Sequence, residues 1–245
     1  MTKGTQPSRG NILFFCLSVA DLHWSDLAGA PHDAQEEIAL LANAIAVDSA
    51  DHWSTSLRLH AILCTTHDCS MDGITSLPES IEVVTQHAMP LHRRMAEALR
   101  SFGETKDGSP TVLVIGKNPL YPITMLHQGI SLLGQEDDVV VIGEGLQGGN
   151  HQRLMWVAAK NHHPEIVEHF ERETDPASNL PKMTAGVHGL VMVMRAVREI
   201  GCVEDFAYLL HETERAVLLK QWYPSRTYEL LTRLQSHGVI PGVHT

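Results

Sequence analysis

Two short apolar runs decide the fold of this chain: TVLVI at residues 111–115 and DVVVI at residues 138–142. Both are rich in β-branched residues and are too short for a helix, which is typical of buried strands. Four more runs of this kind predict strands, and they occupy Asn11–Leu17, Leu57–Cys64, Ile81–Thr85 and Leu154–Ala158.

Helices are predicted between and after these runs, because apolar residues recur there at steps of three and four. In Pro90–Phe102, for example, Leu91, Met95 and Leu99 share one face, and proline suits the first turn. The other predicted helices are Asp33–Val47, Ile123–Leu133, Thr184–Ile200, Glu204–Lys220 and Ser225–Ser236. The alternation of strands and helices predicts an α/β fold with a mainly parallel sheet and helices on both faces.

The chain of 245 residues has the length of one ordinary α/β domain. We expect a flexible polar N-terminus over residues 1–10 and the α/β domain over residues 11–159. Residues 160–245 are predicted to form a helical C-terminal extension packed on the same domain. Within it, Asp175–Lys182 is predicted to be a loop, and the methionines Met192 and Met194 are predicted to be core residues of a helix or to line an adaptable pocket.

Composition excludes several classes of function. The net charge is −11, and no cluster of Lys and Arg is present, which argues against binding to nucleic acid or to anionic membrane. No apolar run reaches the ~20 residues that span a bilayer. Four cysteines are too few for a disulfide framework, so we expect a cytoplasmic protein. Sixteen histidines predict sensitivity to pH between about 5 and 7.

In parallel α/β sheets, ligands bind outside the carboxyl ends of the strands. Four segments follow predicted strands and are therefore candidates for a binding site. They are Ser18–Ala28, Thr65–Gly73, Gly116–Pro122 and Gly143–Gln152.

Four blocks of the chain carry a family resemblance: FCLSVADLHWSDLA at 15–28, LHRRM at 91–95, GKNPLYP at 116–122 and GEGLQGGN at 143–150. In order and spacing they resemble the motifs of small bacterial GT-A-like nucleotide-diphospho-sugar transferases, over roughly residues 11–158. The resemblance implies a three-layer GT-A-like fold and a nucleotide or sugar ligand. It implies Mg²⁺ or Mn²⁺ as cofactor only if the transfer reaction is retained.

The chain departs from the family pattern at three functional positions. The family's Lys-Thr-Arg falls on Trp24-Ser25-Asp26, so that two cations are lost. The acidic residue that resembles the metal-holding aspartate is replaced by Asn118 or lost by deletion, and the aspartate before the double glycine is replaced by Gln147. A neutral amide is a poor substitute for a carboxylate that binds Mg²⁺ or Mn²⁺. These changes predict a retained scaffold, with lost or altered transfer, that binds a small ligand, a protein partner or a second copy of itself.

The resemblance places a ligand cleft at eight residues: Trp24, Asp26, Arg94, Gly116, Asn118, Gln147, Gly148 and Gly149. Trp24 would offer a stacking face. Arg94 is expected either to reach a ligand anion or to be one of two solvated charges with Arg93. Asn118 is expected either to bind a sugar hydroxyl or to be a turn residue before Pro119. No catalytic or metal-binding residue is assigned.

Two alternatives remain open from the residues alone. The first is an active metal-dependent transferase in which Asp68, Asp72 or Asp138 supplies the metal oxygens. The second is a metal protein based on histidine, with a cluster at residues 162–169 that is otherwise a polar helix start. Cys64, His67 and Cys69 lie close enough in sequence to suggest zinc, or else are two semi-buried thiols and a loop histidine.

Overall fold

The computed structural model describes residues 10–22, 34–69, 71, 77–103, 108–134, 138–147, 151–160 and 163–240, and every structural statement below concerns these residues. The seven strands are β1 (Asn11–Phe15), β2 (His60–Thr65), β3 (Ile81–Thr85), β4 (Thr111–Val114), β5 (Val139–Gln147), β6 (His151–Ala159) and β7 (Leu190–Arg198). The helices are α1 (Gln35–Leu57), α2 (Leu91–Phe102), α3 (Ile123–Leu132), α4 (Pro164–Arg172), α5 (Leu180–Gly186), α6 (Val203–Leu218) and α7 (Ser225–Ser236).

The strands form one sheet in the order β3-β2-β1-β4-β6-β5-β7. Every pair in it is parallel except those made by β6, which runs antiparallel to both β4 and β5. Strand β1 lies in the middle, with β2 on one side and β4 on the other. The predicted α/β fold with a mainly parallel sheet is therefore confirmed.

Side chains alternate across the sheet and build a core on each face. On one face Ile12 and Phe14 of β1 pack with Trp53 of α1 and Leu126 of α3. On the other face Leu13 and Phe15 pack against α2, α4 and α5. Because both faces of the central strands are covered, these strands are apolar throughout rather than alternately polar.

Helix α1 is buried on two sides, and this explains its composition. Val47, Ala50 and Trp53 face the sheet, whereas Leu41 and Ile45 pack against α6 and α7 in a separate apolar cluster. A helix enclosed in this way shows no single apolar stripe. For that reason the sequence pattern located only its first half, Asp33–Val47, while the helix continues to Leu57.

The prediction of a helix over Thr184–Ile200 is wrong. Helix α5 ends at Gly186, and Leu190–Arg198 forms β7, which pairs in parallel with β5. Gly189 has a φ of +117°, which a helix does not accommodate. Residues after 160 are thus not only helical, and the spacing of Met192 and Met194 is that of a strand with both side chains against the α1 face of the sheet.

Other elements agree with the sequence pattern within a few residues. Helix α7 and strand β3 have the predicted bounds. The predicted loop over Asp175–Lys182 is partly wrong, because α5 begins at Leu180. None of the helices, within the described ranges, is long and apolar enough to cross a membrane.

Candidate functional site

A cavity of about 260 Å³ opens where β1 and β4 end. From β1 the strand order runs outward through β2 and β3 on one side of the sheet, and β4 lies on the other side of β1. The strand order therefore reverses between β1 and β4. Parallel α/β sheets bind ligands at such a point. Apolar side chains from the ends of both strands, α1 and α2 line much of it, among them Leu17, Ile45, Leu91, Met95 and Ile115.

Six ionisable side chains also line the cavity: Asp21, His92, Lys117, Arg153, Asp175 and Glu199. Asp21 follows β1 and Lys117 follows β4. Because β6 is antiparallel, Arg153 near its start lies at the same edge as the carboxyl ends of the parallel strands. An apolar cavity with a few converging polar groups is the usual form of a small-molecule site.

Arg153 contacts two carboxylates in the wall of the cavity. Its Nη2 donates to Oδ1 of Asp175 at 3.2 Å, and its Nε lies 3.5 Å from Oε2 of Glu199. The two carboxylates come from different elements, since Asp175 lies between α4 and α5 while Glu199 follows β7. The side chains of Arg153 and Glu199 are largely buried, so the charges are screened little by solvent.

His92 is the titratable imidazole of this wall. Partial burial, and then the neighbouring charge of Arg93, lower the pKa of His92 below its usual value. Both causes disfavour the protonated form. The ring is therefore neutral near pH 7 and can both donate and accept a hydrogen bond.

Arg94 is fully buried and bonded to protein atoms. Its Nη2 donates to the carbonyl of Cys16 at 2.8 Å, its Nε to Oε1 of Gln86 at 3.3 Å, and its Nη1 to Oδ2 of Asp21 at 3.0 Å. Its guanidinium lies beneath the cavity and joins the segments that follow β1 and β3. The interpretation of Arg94 as a solvated charge is therefore wrong, and Arg94 positions Asp21, which itself lines the cavity.

Asn118 is buried and uses both ends of its amide within the chain. Its Nδ2 donates to the carbonyl of Arg198 at 2.7 Å, and its Oδ1 accepts from the backbone of Leu120 at 2.9 Å. The side chain thus fixes its own turn to the end of β7. Gly116 lines the cavity, and a Cβ there would lie 2.1 Å from Sδ of Met155.

The remaining residues of the predicted cleft fall where the structure is not described. Trp24, Asp26, Gly148 and Gly149 lie outside the described residues. Gln147 ends β5, where it pairs with His151, and its side chain is not described. The structure thus brings Gly116 to the cavity and places Arg94 beneath it, with Asn118 in the adjoining turn.

Comparison with known proteins rests on structure. No family model matches the chain, and no curated protein matches its sequence. A solved protein from Desulfovibrio desulfuricans G20, provisionally assigned as a nucleotide-diphospho-sugar transferase, matches with a TM-score of 0.63 at 15% identity, over 96% of this chain and 100% of that one. The Rv0371c homologue of Mycobacterium sp. strain JC1 matches with a TM-score of 0.52 at 13% identity, over 86% of this chain and 99% of that one.

The chain has the fold of that transferase-like protein. At these identities the likeness establishes the GT-A-like fold that the sequence motifs imply, and it establishes the fold alone. Chemistry must be argued from the residues of this chain.

The metal that a GT-A-like fold implies can be tested against the donors present. A hard divalent cation needs several carboxylate or carbonyl oxygens. Each described carboxylate of the cavity already has a cationic partner: Asp21 has Arg94, and Asp175 and Glu199 share Arg153. Asn118 is committed to backbone groups. The described donors therefore do not fit Mg²⁺ or Mn²⁺.

The aspartates suggested as ligands in the alternative of an active metal-dependent transferase do not come together in the described structure. Asp138 precedes β5 and lies at the amino edge of the sheet, opposite the cavity, so its proposed role as a metal ligand of this site is wrong. Asp68 follows β2 and accepts a hydrogen bond from the Thr66 hydroxyl, which lowers the pKa of the Asp68 carboxyl. Asp72 lies outside the described residues.

The described residues do not form either of the two metal sites suggested by the sequence, the one at residues 64–69 or the one at residues 162–169. Cys64 packs on one face of the sheet, whereas Cys69 packs against the other. His163 and Glu165 contact each other at 3.4 Å, while His169 contacts the carbonyl of Pro176. No group of three His, Cys, Asp or Glu side chains that could hold a metal occurs in the ranges given above. His162 lies outside them.

Sequence reasoning missed Arg153, Asp175 and Glu199. Arg153 closely follows the GEGLQGGN block, and this was a usable signal. Glu199 lay in a predicted helix, and Asp175 lay in a predicted loop. Only the pairing of β6 with β4 and of β7 with β5 brings these three residues together.

Proposed function

We propose that the protein binds a small ligand with a nucleotide or sugar moiety in the cavity between β1 and β4, with glycosyl or nucleotidyl transfer lost or altered. The observation that carries this proposal is the position of the cavity at the point where the strand order reverses. A volume of about 260 Å³ suits a small ligand or one part of a larger one.

The walls suit such a ligand. One side offers apolar surface from Leu17, Ile45 and Met95, against which a flat ring can pack. The other offers the carboxylates of Asp175 and Glu199 as acceptors for hydroxyl groups, with Arg153 between them. Lys117 also lines the cavity.

The Asn118 amide supports the proposal that transfer is lost or altered. In place of the metal-holding acid that the resemblance expects, the chain has Asn118 or a one-residue deletion, and the Asn118 amide is hydrogen-bonded to the backbone of Arg198 and Leu120. Arg94 stands where the family carries its arginine, and its guanidinium donates to Asp21 and to the carbonyl groups of Cys16 and Cys64. Both residues stabilise the scaffold of the site. A scaffold kept in this way can also serve a protein partner.

The test is thermal stability of the untagged protein against nucleoside diphosphates, their sugars and the free sugars, with and without Mn²⁺. A ligand at about 100 times its Kd adds about 2.7 kcal/mol to the native state and raises Tm. We expect a rise with at least one compound that does not require Mn²⁺. No rise with any compound would contradict the proposed ligand class.

A matched pair of variants locates the binding. Ala46 of α1 lines the cavity and Ala207 of α6 does not, and both are half-buried helical alanines. Ala46→Phe fills the cavity and should abolish the rise in Tm, whereas Ala207→Phe should keep it. If both variants keep it, the ligand binds elsewhere.

An active metal-dependent transferase makes the opposite prediction. The stabilisation would then require Mn²⁺, and Asp68→Asn would abolish it while leaving the fold intact, because Asp68 is exposed. Asn118→Asp provides a second test. We expect it to lose the bond to the Arg198 carbonyl and about 1–3 kcal/mol of stability, which Mn²⁺ should not restore.

A further inference from the structure

Strand β7 leaves one edge of the sheet open. Leu190 to Met194 carry no charge and no proline, and Leu190 and Val193 are 48% and 49% exposed. Edge strands normally carry charges, proline or bulges that prevent pairing with another chain. No other strand in the described part of the chain pairs with the outer side of β7.

The opposite edge, β3, is protected. Glu82 lies within β3 and its Oε2 is 2.7 Å from Nε2 of His60 on the neighbouring strand. A charge within a strand of five residues is an effective block to pairing. The contrast singles out β7 as the edge that can accept a further strand.

The backbone of β7 defines what its occupant must be. The N–H of Leu190 donates to the carbonyl of Asp138 at 3.0 Å, towards β5. Because successive residues of a strand point their backbone groups to opposite sides, Met192 also faces β5. Val191 and Val193 therefore direct their N–H and C=O groups away from the sheet, where an extended strand can pair with them.

We propose that this occupant is β7 of a second copy, paired antiparallel about a twofold axis at Met192. In this register Val191 lies opposite the partner subunit's Val193, and the two residues exchange both hydrogen bonds. Met192 lies opposite the partner subunit's Met192 at a position without hydrogen bonds, in agreement with its orientation towards β5. The run LVMVM reads almost identically in both directions, so each apolar side chain meets another.

Charge complementarity favours a second copy over an unrelated strand. Continued one residue past Met194, where the register between β5 and β7 shifts, this pairing places Arg195 near the partner subunit's Gly189. The Asp138 carboxylate lies over this glycine, with its Oδ2 3.0 Å from the position of an added Cβ. Arg195 and Asp138 are both exposed. Each copy thus offers one cation and one anion on either side of the axis.

The geometry favours a closed dimer. The register between β5 and β7 shifts after Met194, so the regular edge ends there. Such an irregularity twists a strand away from further pairing. Pairing uses β7 of both copies, and the edges that then remain among the described strands are the two copies of β3, which carry Glu82, so that the assembly stops at two chains.

Size-exclusion chromatography with light scattering tests this inference on the full chain. We expect a concentration-dependent dimer, and Val193→Lys should raise its dissociation constant at least about tenfold because two like charges then lie close together. Val83→Lys is the matched control, because Val83 is 44% exposed on the protected edge strand β3. A wild-type chain that stays monomeric up to about 100 µM would overturn the proposal, and so would an equal effect of Val83→Lys.

A pair of variants with opposite charges distinguishes the loss of the dimer from the unfolding of the chain. In the proposed register the two copies of residue 193 are diagonal neighbours about 7–8 Å apart. Val193→Lys mixed with Val193→Glu should therefore restore the dimer. Arg195→Glu and Asp138→Lys should each weaken it, and the double variant should recover it. Failure of both rescues, with circular dichroism unchanged, overturns the register. The result is independent of the cavity ligand.

Discussion

The Arg94 guanidinium donates to Oδ2 of Asp21 at 3.0 Å, with 1% and 9% of the two side chains exposed. Asp21 also accepts from the backbone and hydroxyl of Ser18. The pair thus ties α2 to the segment that leaves β1, directly beneath the cavity. The same ion pair therefore stabilises the fold and positions Asp21 at the cavity.

Replacing Arg94 should therefore cost stability before it affects any ligand. Arg94→Ala leaves the Asp21 carboxyl, whose side chain is 9% exposed, without its cationic partner, and we expect a loss of about 3–5 kcal/mol in the free energy of unfolding by urea. Arg93→Ala, at an exposed neighbour, should stay within about 0.5 kcal/mol. Equal effects of the two variants would show that the ion pair contributes nothing specific.

Trp156 is enclosed by two glycines. A Cβ on Gly143 would lie 2.1 Å from its Nε1, and one on Gly129 would lie 2.6 Å from its Cη2. We expect Gly143→Ala to lower the free energy of unfolding by about 1–3 kcal/mol through overpacking. Gly186→Ala is the control, since nothing lies within 4 Å of an added Cβ there, and it should leave Tm unchanged or higher. A neutral Gly143→Ala would mean that the indole moves freely.

Asp48 gives a pH dependence of defined sign. Burial raises the pKa of the Asp48 carboxyl above its usual value, although Thr227 and Arg226 of α7 bond to it. The folded state therefore binds this proton more tightly than the unfolded state. The resulting stabilisation is complete below the unfolded pKa and is lost as pH rises through the folded pKa.

Urea unfolding of the wild type and Asp48→Asn from pH 3.5 to 7 measures this effect. The stability of the wild type relative to Asp48→Asn should fall as pH rises above about 4 and then level off. Asp51→Asn, at the more exposed neighbouring acid, should not remove this slope. A relative stability that rises with pH would show that the bonds to α7 outweigh burial.

The two buried thiols, Cys16 and Cys64, should be unreactive in the folded protein. Burial raises the pKa of Cys16 and of Cys64 to about 12, so almost no thiolate exists at pH 8. Under native conditions we expect iodoacetamide to leave both unmodified for hours, as peptide mass spectrometry would report. Both should react on unfolding in urea. Rapid native modification of Cys64 would contradict its burial within the α2 face of the sheet.

Much of the fold was predictable because its signals are local. The β-branched runs TVLVI and DVVVI contain β4 and the start of β5, and the steps of three and four located α2 and α7. The β7 segment was mistaken for a helix, because five successive apolar residues have no clear period. Its parallel pairing with β5 makes this segment a strand.

The candidate site was less predictable. The sequence indicated the edge of the sheet at which the cavity opens and the segments that follow β1 and β4, and Gly116 lines that cavity. It did not indicate that Arg94 is buried, because an arginine beside another arginine on a helix is usually solvated. Its burial depends on Cys16, Gln86 and Asp21, which come from three other segments.

The sequence by itself determined the alternation of strands and helices, and with it the edge of the sheet at which the cavity opens, since the alternation follows from periodicity within some ten residues. Only the tertiary structure decided that β7 joins the sheet and that Arg153 meets Asp175 and Glu199 at the cavity wall. These contacts join residues far apart in the chain. Burial of the charges that meet there depends on the packing of the whole sheet, which no local pattern encodes.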